Sequence, residues 1–145
     1  MDTSLALANE LRPVVLRIAR QLRMETEQFG VTSRQATLLH LVKQRPGLTL
    51  RALAQAEAIS APALSGHIDR LESAGLLVRV RSDVDRRRVG LELTAQGDRL
   101  LRSIRERRTA WLAEHLDALG PDDLHAIEAA MGPLHRLVGL AEEGA

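Results

Sequence analysis

The chain contains no cysteine, which excludes disulfides, thiol redox sensing and thiolate metal sites. Aromatic residues are nearly as scarce, with Phe29 and Trp111 alone. A core must therefore be built from Leu, Val, Ile and Ala. That favours helices, because Ala and Leu are strong helix formers whereas aromatics are common strand residues. No apolar run approaches membrane-spanning length, and the N-terminus lacks the basic start and unbroken apolar stretch of a secretion signal. A cytoplasmic protein is expected, without membrane association. The five histidines, His40, His67, His115, His125 and His135, form no pair at i, i+3 or i, i+4 spacing, so no metal site is expected. There is no Gly-rich phosphate loop and no nucleophile elbow. Asp122/Asp123 and Glu142/Glu143 are adjacent carboxylates, and neighbours on a helix point in different directions rather than forming a catalytic pair. Neither an enzymatic activity nor a cofactor is expected.

What is present begins with size and charge. A chain of 145 residues, 45% of them hydrophobic, fits one compact domain with appended helices. Its net charge of +1 conceals an asymmetry. Residues 79–108 carry ten Arg against five acids, whereas residues 109–145 carry one Arg against seven. A basic middle beside an acidic tail points to a polyanionic partner for the middle alone, although solvated helix faces would give the same totals.

Hydrophobic spacing supplies the elements. Leu5, Ala8, Leu11, Val15, Ile18, Ala19 and Leu22 mark one face of a helix over about Ser4–Gln28, which Pro13 should kink or delay to about Leu11. Ser33 is expected to cap a second helix ending near Gln44, before the stop Arg45-Pro46-Gly47. Thr49 suits the N-cap of a short helix, Leu50–Glu57. Ala58-Ile59 makes a tight turn, and Ser60 caps a helix over about Ala61–Ala74, with Pro62 in its first turn and Gly75 ending it. The period then changes to two. Leu77–Arg81 and Arg88–Leu93 read as a hairpin burying Val78, Val80, Val89, Leu91 and Leu93, with Arg79, Arg81, Arg88 and Glu92 on the opposite face. Thr94 should cap a long helix to about Leu119, and Gly120-Pro121 separates it from a last one, about Asp122–Leu140, kinked at Pro133. The fold class is mainly α: six helices plus a two- or three-stranded wing sheet.

Helix, tight turn, helix and hairpin over Thr49–Thr94 form a winged helix-turn-helix. On its second helix, Leu64, Ile68, Leu71 and Gly75 gather on the buried side. Pro62, Ala63, Ser65, Gly66, Asp69 and Arg70 face outward, Ala61 lies at the edge, and His67 lies near the apolar boundary. Small residues let such a helix approach DNA closely, but few can make bidentate base contacts, so phosphates and DNA shape should carry a large share. At the hairpin tip, Asp85 precedes Arg86, Arg87 and Arg88. Arg is favoured in a narrow minor groove, and Asp85 is spaced to hold Arg87 in a bidentate pair. A helical hairpin within a core, or a solvated polar turn, would account for the same residues without DNA.

The run Ser82-Asp83-Val84-Asp85-Arg86-Arg87-Arg88-Val89-Gly90-Leu91-Glu92-Leu93-Thr94-Ala95-Gln96-Gly97 resembles the wing signature of the multiple-antibiotic-resistance regulator (MarR) family, Asp-x-Arg followed by Leu-Thr-x-x-Gly. Ile59–Leu76 is similar to that family's recognition helix with its Leu-Glu-x-x-Gly exit, and the flanking helices agree in order and length. The resemblance implies a homodimeric regulator of pseudo-palindromic operators, in most relatives a repressor, released in many by a small lipophilic or phenolic ligand. It places dimerisation in residues 1–30 and 95–145 of a single domain spanning 1–145, through Leu5, Leu11, Leu112, Leu116, Leu119, Leu134 and Leu137. It places double-stranded DNA against residues 33–94, through Thr49, Ser60, Ala61, Pro62, Ser65, Gly66, His67, Arg70, Arg81, Asp85, Arg86, Arg87 and Arg88. His40 and Trp111 are candidates for an effector pocket. Ala58 stands where helix-turn-helix proteins often place Gly, and Gly66 where relatives often carry a longer polar residue. The absence of cysteine rules out the family's cysteine-based peroxide-sensing branch. The competing reading is a winged-helix module that binds protein rather than DNA.

Overall fold

Local side-chain chemistry starts most of the helices. In the computed structural model, which describes residues 2–140, the Asp2 carboxylate accepts from the Ser4 N–H at 3.0 Å and opens α1 (Thr3–Glu27). The helix therefore starts well before Pro13 and runs through it, rather than being delayed to Leu11. Proline forfeits one backbone bond, and the carbonyl it would have used lies on an exposed stretch where water can serve. Helix α2 (Ser33–Gln44) is capped by Thr32, not Ser33. Thr32 Oγ1 accepts from Gln35 N while Gln35 Oε1 accepts from Thr32 N, each at 3.1 Å, a reciprocal capping box. Thr49 caps α3 (Leu50–Glu57) and Ser60 caps α4 (Ala61–Ser73), as expected. Each such cap contributes about 1 kcal/mol.

Residues up to Arg108 form one compact unit, and residues from Thr109 onward another. The first holds a three-stranded antiparallel sheet in the order β1-β3-β2, from β1 (Leu48–Thr49), β2 (Leu77–Arg81) and β3 (Val89–Leu93). Its core is wholly aliphatic. Leu38 and Leu39 of α2, Leu53 of α3, Leu64, Ile68 and Leu71 of α4, and Leu77 and Leu91 of the sheet are fully buried. Helix α5 (Ala95–Asp117) adds Leu101 and Ile104. The last turn of α1 is clasped to α5 by polar contacts: Arg107 Nε donates to Glu25 Oε2 and Arg108 Nε to Thr26 Oγ1, both at 2.8 Å. Burial of Arg108 holds its pKa below the usual guanidinium value. The second unit contains the end of α5 and α6 (Pro121–Leu137), which begins with Pro121 at its first position and carries Asp122 and Asp123 in its first turn, where the helix dipole favours acids. Helix α5 stops at Asp117 rather than Leu119, and α6 at Leu137 rather than Leu140. Glu142 and Glu143 lie outside the described residues.

One reading of the hairpin is overturned. The register pairs Leu77 with Leu93, Arg79 with Leu91 and Arg81 with Val89, so these six share a face. Val78 and Val80 share the other face with Glu92 and Gly90, and they are 41% and 39% exposed. Strict alternation does distinguish the two faces of a strand, but it does not say which face meets the core. Leu77, buried immediately after the α4 exit turn, decides it.

Gly97 explains the Leu-Thr-x-x-Gly pattern. A Cβ at that position would lie 2.1 Å from the Leu76 carbonyl oxygen and 2.8 Å from Leu93 Cδ1. The approach is held closed by Thr94, whose hydroxyl donates to the Gly75 carbonyl at 2.6 Å and accepts from Gly97 N at 3.0 Å. Thr94 N adds a bond to the Leu76 carbonyl at 3.2 Å. Gly97→Ala should therefore destabilise the protein by about 3 kcal/mol or more, read as a fall in the denaturation midpoint at constant slope. A wild-type midpoint would mean that the helix and the turn can separate freely.

Candidate nucleic-acid interface

The corner between α3 and α4 turns on Ala58, which adopts a left-handed conformation at φ 51° and ψ 43°. Its N–H reaches the Ala54 and Gln55 carbonyls, and Ile59 N bonds the Ala54 carbonyl at 3.1 Å. A left-handed alanine costs about 1–2 kcal/mol, which the packing of α3 on α4 offsets. Leu64, Ile68 and Leu71 of α4 are buried as expected. Ala61, Pro62, Ala63, Ser65, Asp69 and Arg70 are exposed, while Gly66 and His67 are half-buried. A Cβ at Gly66 would meet nothing within 4 Å, so no intramolecular contact demands glycine there. His67 lies at the apolar boundary as expected, and its ring Nδ1 is buried without a hydrogen-bond partner among the described residues.

The hairpin tip is organised by two short polar side chains. Ser82 Oγ accepts from Val84 N and Asp85 N, each at 3.2 Å, and the chain closes with Ser82 N on the Arg88 carbonyl at 3.0 Å. Asp85 Oδ1 accepts from the Arg87 backbone N at 3.1 Å. The expected Asp85–Arg87 guanidinium pair is therefore absent, because an Asp reaches the N–H two residues on in an Asx turn. The other carboxylate oxygen lies 3.9 Å from Arg88 Nε, too far for a hydrogen bond and with Arg88 73% exposed. Arg86, Arg87 and Arg88 thus project from a backbone whose own polar groups are largely satisfied.

Two further arginines belong to this surface and were missed in the sequence. Arg51, in the first turn of α3, shares a cleft of about 600 Å³ with Thr49, Gln55, Arg87 and Arg88. The pairing of Thr49 with Gly90 across β1 and β3 brings them together. Gly90 permits it, since a Cβ there would lie 2.8 Å from the Gly47 carbonyl oxygen. A two-residue strand leaves almost no periodic signal. The second is Arg79, whose side chain turns to α4 and bridges Asp69 at 2.8 Å and Glu72 at 2.6 Å. Hydrogen bonding to Asp69, opposed in part by burial, holds its pKa above the ordinary guanidinium value.

Of the remaining candidates, Thr49 is half-buried at the α3 N-cap and Arg81 is exposed at the end of β2. His40 is exposed on α2. Trp111, in the second unit, stacks on His115 with ring centroids 3.9 Å apart. Leu5 and Leu137 are 59% and 68% exposed and Leu119 is 39% exposed, while Leu11, Leu112, Leu116 and Leu134 are half-buried. Among the described residues, no cluster of His, Asp and Glu could hold a metal ion, and no helix is long and apolar enough to cross a membrane.

Comparison with known proteins places this geometry. The model of the MarR family matches residues 29–88. An HTH-type transcriptional regulator of Mycobacterium leprae is 32% identical over 122 residues, 84% of this chain and 85% of the relative. The chain belongs to the MarR family. The HTH-type transcriptional repressor MdtR of Bacillus subtilis is 27% identical over 114 residues, 79% of this chain and 74% of its own. A solved structure of a variant of the MarR-like protein MepR from S. aureus, bound to an oligodeoxyribonucleotide, superposes with a TM-score of 0.72 at 20% identity, covering 91% of this chain and 97% of that one. MarR-family members are transcriptional regulators with this winged helix-turn-helix, and the region matched by the family model ends at Arg88, the last of the wing arginines.

Proposed function

We propose that this MarR-family regulator binds a pseudo-palindromic operator as a homodimer and acts as a repressor in the cytoplasm, where its DNA target lies. The observation that carries the reading is the wing tip: three consecutive exposed arginines on a closed, self-satisfied turn, beside a recognition helix whose outward side chains are small. On this reading α4 enters the major groove with Ser60, Ala61, Pro62, Ser65, Gly66, His67 and Arg70 nearest the bases and phosphates. Arg81 and the tip arginines follow the adjacent minor groove, with Asp85 shaping the turn, and Thr49 and Arg51 lie along the backbone. Shape and phosphate contacts then outweigh base-edge hydrogen bonds. The repressor MdtR and the oligonucleotide-bound MepR support the reading by likeness.

A homodimer, formed through residues 1–30 and 95–145, is supported by exposed apolar side chains at both ends of the chain. Leu5, Leu7, Val14, Val15, Leu16 and Ile18 of α1 are 40–60% exposed, as are Leu119 and the α6 residues Ile127 and Met131 to about the same degree. Leu7, Val14, Val15 and Ile18 fall on one side of the helix at about 100° per residue, and monomeric proteins rarely leave a contiguous apolar patch in water. Release by a small lipophilic or phenolic ligand completes the proposal. A cleft of about 380 Å³ lined by Phe29, Val31, Leu76 and Leu100 with Arg99 at its edge has a suitable lining, and neither His40 nor Trp111 contributes to it.

Selection from a random duplex pool tests the whole reading. An inverted repeat with half-site centres about one helical turn apart is expected. A pool retained without a motif, and lost steeply in salt, would move a charge-driven or protein-binding role to first place. Repeating the retention with phenolic acids present tests the effector. Arg87→Ala should weaken binding to the selected duplex by about 1–3 kcal/mol with unchanged thermal stability, and an unaltered affinity would remove Arg87 from the interface. Leu137→Glu, at a site 68% exposed in the single chain, should leave helical content intact and shift the dimer towards monomer in sedimentation. A variant that sediments as wild type would exclude Leu137 from the interface.

A further inference from the structure

We propose that Arg79 is a positioning residue for DNA binding: its guanidinium, forked between Asp69 and Glu72, sets the attitude of the wing relative to the recognition helix. The inference rests on the DNA-binding reading above and adds a residue to it. Asp69 and Glu72 stand three apart on α4 and so share a helix face. Arg79 Nη2 lies 2.8 Å from Asp69 Oδ1 and Nη1 2.6 Å from Glu72 Oε1, while the Arg79 backbone N donates to Glu72 Oε2 at 3.1 Å. The strand is thus held to the helix at three points by one residue.

Apolar packing does not supply a substitute along the outer part of the hairpin. Leu77 and Leu91 anchor its base, but Val78 and Val80 face away and are substantially exposed, and Val84 at the tip is 98% exposed. Beyond the pairing of β3 with β1 at Leu91 and Gly90, the wing therefore leaves the core as a lever whose direction is fixed near its base. A planar guanidinium with two donor edges fixes direction as well as distance, which an ammonium cannot. The same contact has an electrostatic consequence. Asp69 lies on the outward arc of α4, 66% exposed, where an unpaired carboxylate would face the phosphates. Positioning and charge neutralisation are different effects, and the test separates them.

The probe is a duplex recovered by the wild-type full-length protein from the random pool. Arg79→Met should weaken its binding at least about tenfold. Arg79→Lys, which keeps the charge and serves if the Met variant folds poorly, should restore only part of that loss. The charge-balanced combination Arg79→Met, Asp69→Asn, Glu72→Gln should remain weak. In a background carrying Arg87→Ala and Arg88→Ala, Arg79→Met should cost less than about twofold, because the contacts it positions are gone. An equal loss in both backgrounds would assign Arg79 to general folding or to the helix alone. Full recovery by the charge-balanced variant would assign it to electrostatics. Either result overturns the proposal. A readout without DNA keeps it separate from the DNA-binding reading. Because the chain has no cysteine, a nitroxide on Val84→Cys reports the wing alone. Arg79→Met should sharpen its spectrum through greater mobility, and an unchanged spectrum would also overturn the proposal, whatever the protein binds.

Discussion

The fold of the first unit depends on one close crossing. Residues Thr94–Gly97 must pass against the Gly75–Leu76 turn, near enough that only a hydrogen fits on the Gly97 α-carbon. The Thr94 hydroxyl bonds both sides of the crossing, donating to Gly75 and accepting from Gly97. That crossing joins the end of the recognition helix, both feet of the wing and the start of α5 in a few residues. Once it is made, Leu77 and Leu93 are paired and the hairpin register follows. Gly75, at φ +77°, supplies the left-handed turn that brings the chain back. Two glycines and a threonine thus determine where the wing begins, and neither their size nor their polarity would single them out as core residues.

Charge is divided between structure and surface in a way totals cannot express. The stretch 79–108 has a strong basic excess, yet several of its arginines are committed internally. Arg79 closes on α4, Arg102 meets Asp98, Arg107 neutralises the buried Glu25, and Arg108 bonds Thr26. Lys43, 2.6 Å away, holds the Asp98 carboxyl below the usual carboxylate range. The stability this gives Asp98 is present above the ordinary carboxylate pKa and is lost as pH falls through the lowered one. What remains for a polyanion is concentrated at the wing tip, where short polar side chains satisfy the backbone and leave the long basic ones exposed. Such exposed charges favour steering and salt-sensitive attraction.

Much of this architecture was legible in the sequence where signals were local. Thr49, Ser60 and Gly75 announced the helix-turn-helix through capping and turn chemistry, and the residue bounds of α3 followed directly. The errors arose where the sequence leaves more than one partner or face open. Alternation marked the hairpin but not its buried face, since Leu77 was placed by the turn before it. Ser33 was expected to cap α2, but Thr32 does so, because Gln35 completes a reciprocal box with it. Pro13 looked like a break, but an exposed helix can lose one bond and continue. Asp85 and Arg87 were well spaced for a side-chain pair, and the nearer backbone N–H won. Arg51 carried no signal, and Arg79 was marked only as part of one hairpin face, because their neighbours come from strand pairing and from a helix seven to ten residues away.

The first helix argues most directly for a second copy of the chain. It is 25 residues long, yet its only buried side chains are Glu25 and Thr26, both polar and both at its final turn. An isolated helix with an interior proline is marginal in water, and helices ordinarily owe their persistence to burying an apolar face. Here the clasp to Arg107 and Arg108 fixes the end of α1, while Leu5, Leu7, Val14, Val15, Leu16 and Ile18 remain open to solvent along the rest. Leu7, Val14, Val15 and Ile18 lie on one side of the helix, and a partner of the same sequence would offer the same side in return, the arrangement that two-fold symmetry makes self-complementary. The proposed palindromic operator requires that symmetry independently, because two identical recognition helices related by a dyad read an inverted repeat. The apolar surface of α1 and the small outward residues of α4 are then two requirements of one assembly: the first would bring the copies together, and the second would let each lie close to its half-site.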